Sequence, residues 1–61
     1  MMYYVLYVPQ RQAYLDEEGY IVSYEKAEKY AEPSSVILDI AQDEYGNDVR
    51  WVGPCKEGEV P

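Results

Sequence analysis

The chain has no histidine and no phenylalanine, a single cysteine, and only five basic residues against twelve acidic ones in 61 positions. Each scarcity closes a class of function. Histidine alone among side chains titrates, unperturbed, in the middle of the physiological range. Its absence removes the commonest general acid–base group and the commonest metal ligand. With Cys55 alone, no intrachain disulfide can form, and there is no cysteine–histidine set for a structural zinc. Cys55 also lacks an imidazole to activate it and reads as a poor nucleophile. Gly19, Gly46, Gly53 and Gly58 do not fall in the spacing of a dinucleotide-binding or P-loop motif. No cofactor is therefore expected.

Long apolar runs are missing too. The stretch Tyr3 to Val8 is far short of the ~18 residues that span a bilayer, and it lacks the basic flank and small-residue cleavage site of a secretory signal. One cysteine and no export signal point to a reducing, cytoplasmic setting. No membrane partner is expected.

What is present is acid and tyrosine. The net charge is −7, and eight tyrosines accompany one tryptophan. Such a charge repels phosphate backbones, so direct nucleic-acid binding is not expected, while basic proteins are drawn in. Tyrosine couples an apolar ring to a polar tip and suits contact surfaces. At this length a chain buries only about 60% of the surface its unfolded form exposes. The chain reads as one small domain, residues 1–54, followed by a loose tail, residues 55–61.

Met2 to Val8 is rich in strand formers and apolar on both faces, which marks a central strand or one side of an interface. Tyr14–Leu15 and Tyr20–Val22 flank Asp16-Glu17-Glu18-Gly19, a hairpin turn with Gly19 at the position that needs positive φ. Ser23 can cap a helix that Pro33 would stop, with Tyr24, Ala27, Tyr30 and Ala31 as its apolar stripe. Val36 to Ala41 alternates as a strand, Asp43-Glu44-Tyr45-Gly46 spells a second hairpin tip, and Val49 to Val52 answers as the last strand before Gly53-Pro54. Trp51 alternates with Val49 toward the core, and Arg50 could meet Asp39 or Asp43. The elements run strand, short strand, strand, helix, strand, strand. The expected class is α+β, a three- or four-stranded mainly antiparallel sheet with one short helix on one face, in compact form β-β-α-β-β.

The candidate binding residues are Asp16, Glu17, Glu18, Asp39, Asp43, Glu44, Tyr45 and Asp48. As a general acid–base pair these carboxylates would need a cleft that desolvates one partner, for which so small a chain has little room. As a calcium loop, Asp43 to Asp48 lacks the required ligand alternation and closing glutamate. The blandest reading is solvated loop tips kept polar against aggregation. The sharper one is an acidic patch that meets arginines and lysines of a partner, with Tyr45 as an aromatic contact at its centre.

The length, the −7 charge, the tips Asp16-Glu17-Glu18 and Asp43-Glu44, and nearby Tyr45 resemble the small acidic inhibitors that bacteriophages make against host defences, the anti-CRISPR proteins among them. The stretch GYIVSYEKAEKYAE (Gly19 to Glu32) is similar to the strand entering a short helix in many small phage domains. The resemblance implies a stoichiometric, non-enzymatic inhibitor acting as a DNA mimic in the host cytoplasm. Its partner would be a protein with a basic groove, such as a nucleic-acid-binding defence complex. The alternative expectation is a structural or regulatory homo-oligomer, in the simplest case a homodimer, assembled through the aromatic strand Met2 to Val8.

Overall fold

The β-branched and aromatic run Met2–Val8 forms strand β1 in the computed structural model, which describes residues 2–56. Strands β2 (Ala13–Leu15), β3 (Ile21–Val22) and β4 (Arg50–Lys56) complete a four-stranded antiparallel sheet in the order β3-β2-β1-β4. One helix, α1 (Ser35–Tyr45), lies between β3 and β4 in sequence. The α+β class expected from the sequence is the class the chain adopts.

Alternation along β1 divides the interior in two. Leu6 and Val8 join Leu15, Ala41 and Val49 under α1, with Ile37, Leu38, Tyr45 and Trp51 packed around them. On the opposite face Tyr3 and Val5 join Ala27 and Cys55, flanked by Tyr14, Tyr24 and Val52. Val5, Val8, Leu15 and Val49 are fully buried, and each such side chain contributes about 1.5–3 kcal/mol relative to exposure. The strand read as an assembly surface is thus an inner strand, with Val5, Leu6 and Val8 buried within the chain itself.

The helix lies elsewhere than the spacing of Tyr24, Ala27 and Tyr30 predicts. After Ser23 there is one turn of 3₁₀ helix, Tyr24–Lys26, and Ala27 is already extended. The Glu28 N–H then donates to the Leu15 carbonyl (3.2 Å), and Tyr30 exchanges two backbone bonds with Tyr4 (2.7 and 2.9 Å). Tertiary contact explains the change. A ten-residue helix is marginal alone, whereas the extended path satisfies its donors at the sheet and lays Tyr24 and Ala27 over the second face. That segment is the cover the second face required.

Val36 to Ala41, expected as a strand, lies in α1. Ser34 caps it, its Oγ accepting from the Ile37 N–H at 3.3 Å, so Pro33-Ser34 begins a helix as well as barring an earlier one. Ile37, Leu38, Ala41 and Tyr45 form its inner stripe. Asp43-Glu44-Tyr45-Gly46 is consequently a helix end and not a hairpin tip. Gly46 has φ +108°, and its N–H donates to the Gln42 carbonyl at 2.9 Å.

β4 also runs past Gly53-Pro54, where it was expected to stop. The Gly53–Pro54 peptide is cis, and the register against β1 shifts between Tyr3 and Val5. Cys55 pairs opposite Tyr3 and is buried, so Cys55 and Lys56 belong to the sheet. Residues 57–61 of the expected tail lie outside the described residues. Trp51 stands opposite Leu6 and Arg50 opposite Tyr7, so Arg50 meets β1 and not Asp39 or Asp43 across a hairpin.

Candidate functional site: an acidic cleft between helix and hairpin

The β2–β3 turn is built on Asp16. Its Oδ1 accepts from the N–H groups of Glu18 and Tyr20, both at 2.9 Å, and the Gly19 N–H donates to the Asp16 carbonyl at 3.0 Å. Gly19 has φ +88°, the conformation expected for it. Asp16 is therefore occupied in holding the tip, while Glu17 and Glu18 are exposed. Across from the tip, the Tyr45 hydroxyl donates to the Gly19 carbonyl at 2.7 Å. The Glu44 carboxylate leans the same way, its Oε2 3.9 Å from where a Cβ on Gly19 would stand.

Two acidic stretches far apart in sequence thus meet at one cleft of about 200 Å³. Leu6, Leu15, Ile37 and Ala41 line its apolar part, Tyr30 is half-buried among them, and Ile40 stands 64% exposed at its edge. The rim is acidic: Asp16, Glu17 and Glu18 from the turn and Glu44 from α1. The negative field reaches Tyr30, whose phenol pKa is raised first by burial and then by the charges of Glu28, Glu17 and Asp16. Clefts for drug-sized ligands run to about 300–1,000 Å³. This one has room for a single side chain.

Charge on α1 runs against the helix's own stability. Its last turn holds no basic residue and its first no acidic one, although the macrodipole favours the reverse. Asp39 and Asp43, both exposed, are a like-charge i,i+4 pair, which costs rather than contributes. Val36, 66% exposed, extends the same outer surface with Ile40. Local rules broken this way concentrate at functional surfaces.

Lys29 and Arg50 do not offset this charge. Lys29 Nζ lies 5.5 Å from the Tyr3 ring centroid and the Arg50 guanidinium 5.5 Å from that of Tyr7, on the opposite face of the sheet. There Tyr7, Tyr14 and Tyr24 pack in succession, the first pair tilted and the second edge-to-face, with centroids 5.1 and 5.2 Å apart. The Tyr3 and Tyr24 hydroxyls are hydrogen-bonded beside Cys55.

Of the residues singled out in the sequence, Asp16, Glu17, Glu18, Glu44 and Tyr45 come together at the cleft. Asp39 and Asp43 lie on the outer surface of α1, and exposed Asp48 sits in the loop leading to β4, its Oδ1 3.1 Å from a Cβ built on Gly46. Tyr45 ends α1 and does not sit at a hairpin tip; half-buried, it lines the cleft and pins the turn through its hydroxyl. Tyr30, Ile37, Ile40 and Ala41 were missed as cleft residues. Reading Ile37, Ala41 and Tyr45 at helical spacing, with Glu44 beside them, would have found three of the walls. Among the described residues no group of three or more acidic or cysteine side chains could hold a metal ion, and no helix is long and apolar enough to cross a membrane. Compared with protein-family models, curated proteins and solved structures, the chain finds no match in any of the three.

Proposed function

We propose that this chain is a non-enzymatic acidic binding protein that occupies a basic, nucleic-acid-binding surface of a partner protein, as the phage anti-defence inhibitors do. The observation that carries this reading is the convergence of Asp16-Glu17-Glu18 and Glu44 on one apolar cleft, beside the outward carboxylates Asp39 and Asp43. Carboxylates held on a turn and a helix lose little freedom on binding and compete for the arginines that otherwise hold phosphates. Val36, Ile40 and Tyr20, each more than half exposed, add apolar contact beside them.

The test is displacement. A CRISPR effector loaded with guide RNA and a fluorescein-labelled target duplex is titrated with the protein at two ionic strengths, alongside a second nuclease with a basic groove. Release of the duplex that weakens as salt rises supports the reading, because screening acts on exposed charge. Release that is indifferent to salt, or absent from both partners, rejects it.

A further inference from the structure

We infer that the cleft between α1 and the β2–β3 turn receives one arginine side chain from the partner, with the guanidinium held between Glu44 and the turn carboxylates and the stem on the apolar wall. This rests on the reading that the acidic surface meets a basic protein, and it names the residue that surface selects.

The chemistry of the cleft favours arginine over lysine. Its apolar part, from Leu6, Leu15, Ile37 and Ala41, suits the aliphatic stem of a long cationic side chain. A guanidinium is more weakly hydrated than an ammonium, so it enters such a place at lower desolvation cost. The ring of Tyr30 lines the same space, and aromatic faces hold guanidinium ions by cation–π attraction. Acidic groups approach from two sides, Glu44 from the helix and Glu17 and Glu18 from the turn, matching a planar donor fork better than a point charge. The two sides are also fixed in advance, since the Tyr45 hydroxyl ties the helix end to the Gly19 carbonyl. Preformed walls reduce the ordering cost of binding.

The experiment uses isotope-labelled protein and three blocked tripeptides, Gly-Arg-Gly, Gly-Lys-Gly and Gly-citrulline-Gly. The arginine peptide is expected to shift the amides of Gly19, Ala41 and Tyr45 saturably, at least about fivefold more tightly than the lysine peptide, a difference of about 1 kcal/mol. Citrulline, which keeps the shape and loses the charge, is expected to leave them unmoved. Glu44→Gln and Glu17→Gln, both at exposed positions, should each weaken the arginine titration by about fivefold. Equal response to lysine or citrulline, or unsaturable shifts spread over Asp39, Asp43 and Asp48, overturns the arginine pocket. The two readings separate cleanly. If Asp39→Lys/Asp43→Lys abolishes duplex displacement while Glu44→Gln does not, the pocket fails and the basic-surface reading stands. If the arginine peptide saturates the cleft while no duplex is displaced, the pocket stands and the inhibitor reading fails.

Discussion

The hydroxyl of Tyr45, in the last turn of α1, donates a 2.7 Å hydrogen bond to the carbonyl of Gly19 at the tip of the β2–β3 turn. That bond closes one end of the cleft and joins the two acidic stretches. Tyr45→Phe keeps the ring in the core and removes only the bond. It should destabilise the fold by about 0.5–1.5 kcal/mol, seen as a fall of several degrees in thermal midpoint. An unchanged midpoint means the turn is held without it.

Asp43→Lys should do two opposite things. It replaces a like-charge neighbour of Asp39 and sets a cation near the negative helix end, which should stabilise the fold by about 0.5–1 kcal/mol. It should also weaken partner binding, because a close attractive charge becomes repulsive. A urea midpoint that rises with unchanged slope, together with poorer duplex displacement, is the expected pair of results. A variant that is less stable refutes the claim that this helix is charged against itself.

Gly53 cannot carry a side chain. A Cβ there would stand 2.6 Å from Cδ2 of Tyr4 and 2.9 Å from the Tyr3 carbonyl oxygen, and its φ is +152°. Gly53→Ala should therefore cost about 3 kcal/mol, from overpacking and backbone strain together. At Gly46, whose φ of +108° carries backbone strain as well, the nearest atom is a movable side-chain oxygen of exposed Asp48, 3.1 Å away. Gly46→Ala should cost less, and denaturant unfolding of the two variants reads the difference. The reverse order would place the tight backbone approach at the wrong glycine.

Alkali should unfold this protein through its tyrosines. Tyr24 is raised by burial, then by its bond to Tyr3 and by Cys55; Tyr14 is raised by burial, then by the charges of Tyr7 and Cys55. Tyr30 moves in the same direction. A group whose folded pKa exceeds its unfolded value of 10.0 keeps more protons when folded, so its contribution is intact below that pH and is lost as pH rises above it. Thermal midpoints should hold to about pH 9 and fall toward about pH 11. Tyr24→Phe should flatten the fall, and a midpoint level across that range contradicts the placement of these phenols.

The first hairpin was legible because Asp16 and Gly19 do what their types do locally: the carboxylate takes the turn amides and the glycine takes positive φ. β1 was legible as a strand because it is apolar on both faces, which suits an inner strand or an interface; the sheet order makes it an inner strand. The helix was misplaced because β-branched Val36, Ile37 and Ile40 are strand formers, and the alternation of Val36, Leu38 and Ile40 hides a helical stripe. The same Asp-x-x-Gly spelling also ends a helix at Gly46 as readily as it turns a hairpin at Gly19. Four carboxylates of the cleft were therefore identified singly. Their meeting was not, since it depends on where α1 lies.

β1 pairs along its length with β4, Met2 standing opposite Lys56. During synthesis β1 can pair early with β2, but its longest pairing, with β4, is not available until nearly all the described chain has been made. Neither half of the interior can close early, because one needs Val49 and the other Cys55. The pairing of β1 with β4 joins the two ends of the described chain, and a topology with such distant contacts folds more slowly than one built from neighbours. For that interval the net charge of −7 opposes association of the nascent chain with its own copies.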